Sequence, residues 1–126
     1  MNWIENLPEN CPPENSFIPD EFKVFRLAVN ETYNKNDFQS QRLQKPTSKF
    51  KGISECIARS LSVFNNIDKC KNMSKLPIYK GRWKSIIEID LVKEDGLVLK
   101  TFKANHYSWW ISTTFDNSKI KVINIE

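Results

Sequence analysis

Arg26, Ser40 and His106 are the residues of this chain best suited to chemistry: a guanidinium that can grip an oxyanion, a hydroxyl that can attack, and the sole imidazole, able to carry a proton near neutral pH. Nothing in their spacing demands a joint role, and Ser60 is as well placed as Ser40 for a nucleophile. Strong signatures are absent: there is no GxGxxG, P-loop, GxSxG, HExxH or paired CxxC. A single histidine excludes a multi-histidine metal centre, and no metal ligand set is expected. His106 sits in Asn105-His106-Tyr107-Ser108-Trp109-Trp110, where Tyr107 and Trp109 suit stacking on a base or nicotinamide and equally suit closing one end of a core.

Arg26 lies in residues 21–29, where Phe25, Leu27 and Val29 alternate with Phe22, Val24 and Ala28; apolar residues on both faces predict a central strand. A guanidinium between Val24 and Ala28 needs an acceptor, and an internal ion pair with Asp37 or Glu55 is the expected structural role. Ser40 falls in a loop-like region, residues 30–51, with Phe38 as an apolar anchor. The clearest helical period is Ile53, Ile57, Leu61 and Phe64, widened by Cys56, Ser60, Val63 and Ile67. It predicts one main helix over residues 54–67, capped by Ser54, with a weaker helix over 68–76.

Residues 83–92 alternate as a strand, and Lys93-Glu94-Asp95-Gly96 predicts a hairpin into residues 97–103. Residues 107–115 and 119–125 complete the β set. Residues 1–21 carry Pro8, Pro12, Pro13 and Pro19, which predict an extended arm, while Trp3, Ile4, Leu7, Phe17 and Ile18 draw that arm onto the domain. The expected fold is therefore α+β: a single domain over 22–126, with a mixed, mostly antiparallel sheet of about five strands packed against one main helix.

Charge is unevenly distributed. Residues 1–22 contain five acids and no base, whereas residues 23–84 contain fourteen bases against four acids. Such a middle segment suits a solvated surface, an acidic partner or a phosphate-rich one. Cys11, Cys56 and Cys70 are odd in number and widely spaced, which fits neither a disulfide framework nor a zinc site and suggests a reduced cytoplasm. No apolar run is long enough to span a membrane, and residues 1–10 lack the form of a secretion signal, so a soluble chain with no membrane partner is expected.

The order Phe25-Arg26-Leu27, Asp37-Phe38-x-Ser40, Glu55-Cys56-x-Ala58-x-Ser60-Leu61-Ser62-Val63-Phe64 and His106-Tyr107-x-Trp109-Trp110 resembles a widespread set of small uncharacterised bacterial proteins. The resemblance implies a bacterial setting. More loosely, an early-strand arginine followed by a serine segment is similar to the layout of ADP-ribosyltransferase-like folds, which implies Arg26 on an NAD phosphate and Ser60 or Ser62 as the structural serine. That pattern's late acidic residue has only Asp116 as a weak counterpart. The first expectation is a non-enzymatic accessory protein binding another protein, in a toxin–antitoxin or phage-defence context and without a cofactor. The second is an NAD- or nucleotide-binding enzyme, and the third a nucleic-acid-binding module.

Overall fold

The alternation around Arg26 produces strand β1 (Phe22–Ala28) in the computed structural model, which describes residues 1–125. Residue 126, the last of the expected domain, lies outside the described residues. Five further strands follow: β2 (Leu61–Phe64), β3 (Ser85–Leu91), β4 (Gly96–Lys100), β5 (His106–Ile111) and β6 (Lys121–Asn124). They form one sheet in the order β4-β5-β2-β1-β3-β6. Every neighbouring pair is antiparallel, so among the described residues this α+β domain has six strands and no parallel pairing.

The expected main helix over residues 54–67 is broken into a short helix, α2 (Glu55–Ala58), and the strand β2; the weaker helix expected over 68–76 is present as α3 (Ile67–Ser74), and one further helical turn, α1 (Gln41–Gln44), lies in the expected loop. Ser54 does cap α2, accepting from the Ile57 N–H, but the helix stops at Ala58 and the Ser60 hydroxyl donates back to the Ile57 carbonyl. Leu61 to Phe64 then run as a strand whose Leu61 and Val63 are buried while Ser62 and Phe64 are half-buried. A four-residue apolar run satisfies both periods; pairing with the aromatic β5, Leu61 opposite Trp109 and Val63 opposite Tyr107, decides for the strand. Asn66 then opens α3 by accepting from the Asp68 N–H.

The expected Asp-Gly hairpin is also absent, since β4 pairs with β5 rather than β3. Asp95 instead closes a turn by accepting from the Val92 N–H at 2.8 Å. Its carbonyl takes the Trp109 indole N–H at 2.9 Å, and its buried carboxylate is paired with Lys119. Gly96, at φ +129°, passes so close to the Trp110 carbonyl that a Cβ would collide with it.

Residues 92–95 carry the chain from β3 to β4, which lie four strand steps apart in the sheet. Laid flat, those steps would span about 19 Å, more than the roughly 17 Å that the extended chain reaches from the last residue of β3 to the first of β4. The sheet is therefore curled, and its hollow holds one core in which Leu91, Val98, Val24, Ile87, Leu61 and Trp109 meet. Tyr33, Phe38 and Phe115 from the loops pack against that core. On the outer face, α3 buries Cys70 against Phe25 and Ile86.

The first residues lie along the β4–β5 side. Trp3 bridges to Ser112, and Phe17 bridges to Val98 through N–H···O bonds of 2.8 and 3.0 Å. The Glu5 carboxylate accepts from both the Ser40 N–H and the Ser40 hydroxyl. Cys11 is disulfide-bonded to Cys56 at the start of α2, which corrects the reading of three unpaired cysteines; Cys70 alone is free. The two partners are distant in sequence, and only the docking of residues 1–18 beside α2 brings them together.

Candidate functional site

Arg26 does not make the expected ion pair. Its Nε donates to the Asp37 carbonyl at 2.9 Å and its Nη1 to the Ser62 carbonyl at 2.7 Å, while Glu55 pairs with Arg42 and Arg59. The reason lies in the sheet: β1 and β2 meet at one registered pair, Phe25 opposite Phe64, and diverge beyond it. Arg26 fills the opening and supplies a carbonyl of β2 with the donor that a ladder would have given it. Burial lowers its pKa from the usual arginine value, with the Asp37 carboxylate opposing. The side chain is half-buried and lines a cavity of about 590 Å³, where Asn34, Asn36, Gln41 and Gln44 add amides and Met73 and Trp83 add apolar surface.

Ser40 and His106 are held elsewhere. The Ser40 hydroxyl is 1 % exposed, donates to Glu5 at 2.6 Å and caps α1 by accepting from the Leu43 N–H. His106 Nδ1 lies 3.0 Å from the Thr101 hydroxyl and 3.1 Å from the Thr101 carbonyl, and its ring packs edge-on to Phe64. Neither residue lines the Arg26 cavity. Among the proposed ligand contacts, Ser60 is spent on the Ile57 carbonyl and Trp109 is wholly buried on Asp95, while Tyr107 packs against Phe17 and Phe22. The aromatic run thus closes the core, the second of its two expected roles.

Burial, first, and then the charges of Lys103 and Arg26 hold the His106 pKa below the ordinary histidine value of 6.5, against the opposing bond to Thr101. A neutral imidazole is what the fold favours, so its contribution is complete above pH 6.5. It is lost as pH falls from there through the lowered folded value, because the unfolded chain takes the proton first. The imidazole proton resonances of the native protein should titrate with a midpoint below 6.5, and stability should decline over that same interval; a midpoint at or above 6.5 contradicts the burial argument.

The larger feature is a groove of about 800 Å³ between α3 and the β3–β6 side of the sheet. Its floor is apolar, formed by Ile86, Ile123, Ile125 and Trp83, and Lys71, Lys75 and Lys80 stand at its rim. None of these lysines forms an ion pair among the described residues. Helix geometry explains two of them: Lys71 and Lys75 are four apart, so they occupy one side of α3 and its exit, while Cys70 faces the sheet. Beside the groove, Leu76 is 47 % and Ile78 is 80 % exposed, and Arg82 lies over the rings of Tyr79 and Trp83. The run of six bases and one acid over residues 68–84 was the sequence signal for this surface, but the isoleucines of its floor come from β3, from β6 and from the residue that follows β6.

Compared with known protein families, curated proteins and solved structures, the chain matches none. Among the described residues no group of acidic, histidine and cysteine side chains could hold a metal, and no helix is long and apolar enough to cross a membrane.

Proposed function

We propose that this protein is a non-enzymatic interaction module that holds an acidic segment of another protein in the lysine-rimmed groove. The observation that carries this reading is the combination of an apolar floor with three cations at its edge that form no ion pair among the described residues. Apolar area supplies affinity, and the cations select an acidic partner and steer its approach. A catalytic reading has less support, because Arg26, Ser40 and His106 each serve separate backbone or side-chain partners. Nucleic acid is disfavoured by the aliphatic floor, which offers one tryptophan rather than a series of stacking rings. Such a module fits the accessory role in a toxin–antitoxin or phage-defence context that is the first expectation from the sequence. The disulfide favours an oxidising place of work over a reduced cytoplasm.

Calorimetric titration with an acidic, isoleucine-containing peptide and with a single-stranded oligonucleotide of equal charge separates these readings. The peptide should bind more tightly than the oligonucleotide, and the combined variant Lys71→Glu, Lys75→Glu, Lys80→Glu should weaken it by about tenfold or more. Preference for the oligonucleotide, or peptide binding that survives charge reversal, overturns the proposal.

A further inference from the structure

The two edges of the sheet are treated differently. At β4 the chain covers its own edge, with Phe17 exchanging both backbone hydrogen bonds with Val98. At β6, the opposite edge, no strand is paired outside it among the described residues. An uncovered edge is a row of free donors and acceptors, which proteins otherwise blunt or pair.

The phase of the β3–β6 ladder identifies the free groups. The Ile125 N–H donates to the Lys84 carbonyl at 3.0 Å, which sets the facing residues 84 and 125 in the hydrogen-bonded phase of the ladder, although the Lys84 N–H itself goes to the Ala28 carbonyl of β1. In an antiparallel ladder such pairs alternate, and the register places Ile86 opposite Ile123 and Glu88 opposite Lys121 in the same phase. The intervening residues, Val122 and Asn124, therefore turn their N–H and C=O groups to the open edge. Ile123 and Ile125 meanwhile send their side chains into the groove, beside Lys71, Lys75 and Lys80.

We propose, resting on the interaction reading above, that the partner's acidic segment binds as a seventh strand along β6. Its backbone pairs with Val122 and Asn124, and its groove-facing side chains are isoleucine-like and acidic in turn. An apolar one lies over the Ile123–Ile125 floor, and the acidic ones two positions to either side of it meet the lysine rim. Lys121, 70 % exposed in its side chain and held only by a long 3.9 Å ion pair to Glu88, favours the same acidic strand and opposes pairing with the β6 of a second copy.

The probe is an acetylated octapeptide with threonine at every second position and glutamate and isoleucine alternating at the others. Two N-methylated versions accompany it, one methylated on the threonine amides and one on the remaining amides. An added strand turns only one of these sets toward β6, so one version should lose binding by at least about tenfold and the other should retain it. On the protein side, Val122→Pro should keep the fold, since proline is tolerated where an edge N–H faces solvent, and should lose the probe. Equal binding by all three peptides overturns strand addition while leaving the groove reading intact. Absence of binding by the unmethylated peptide overturns both. Self-association of the native protein that Val122→Pro abolishes would assign the edge to a second copy and overturn the proposal as well.

Discussion

Arg26→Met lowers the free energy of unfolding by about 3–5 kcal/mol in a urea titration, with the slope of the transition unchanged. The substitution keeps the apolar stem between Val24 and Ala28 but removes the donors that the Asp37 and Ser62 carbonyls receive from Nε and Nη1. Each charge-assisted bond of this kind contributes about 1.5–3 kcal/mol, and the carbonyls it leaves behind are partly shielded from water. Water entering through the neighbouring cavity offsets some of the loss, which holds the effect below the sum of two such bonds. Arg26→Lys should recover less than half, because one ammonium cannot reach the carbonyls of Asp37 and Ser62 with the geometry of a planar fork. A loss below about 1 kcal/mol for Arg26→Met would mean that the two halves of the sheet do not depend on this side chain.

That the arginine needed a partner was legible in the sequence; which partner was not. Burial between apolar neighbours in β1 demands an acceptor, but a carbonyl stranded by the divergence of β1 from β2 leaves no trace in residue types. The same limit explains residues 54–67. Ile53, Ile57, Leu61 and Phe64 fall on a helical line, yet the chain bends at Arg59 because Leu61 and Val63 find aromatic partners on β5, a contact set by residues some forty positions away. Local chemistry was readable where it was self-contained: the Ser54 cap, the β1 and β3 alternations, and the wish of Trp3 and Phe17 to lie on the domain. Asp95-Gly96 was misread for an instructive reason. The pair does form a turn, but the Asp95 carbonyl is claimed by Trp109 and Ser112, which directs the chain across the curl to the far edge. For the site, the cluster of bases before residue 84 announced a cationic surface, while its apolar floor depends on β6 lying beside β3. Ser40 and His106 are chemically able residues whose groups are committed to holding Glu5 and Thr101.

Cys11→Ser, Cys56→Ser and the double variant each lose about the same stability, on the order of 4 kcal/mol, when compared under oxidising conditions. The bridge closes a loop of 45 residues, and the entropy of that closure in the unfolded chain gives the figure. Equality of the single and double variants is the signature of a bond, since removing either sulfur removes all of it and the second substitution has nothing left to take. Loss of the bridge need not release residues 1–18, because the Phe17–Val98 bridge and the Glu5–Ser40 bonds still hold them to the sheet. Amide exchange should therefore rise most around Cys11 and least at Phe17. Thiol counting provides the direct check: without reductant, the unfolded protein should yield one reactive thiol, that of Cys70. In the native state that thiol should stay silent, because burial under α3 pushes its pKa up to about 12. Three reactive thiols in the unreduced, unfolded protein, or single losses that add in the double variant, would remove the bridge and with it the argument for an oxidising compartment.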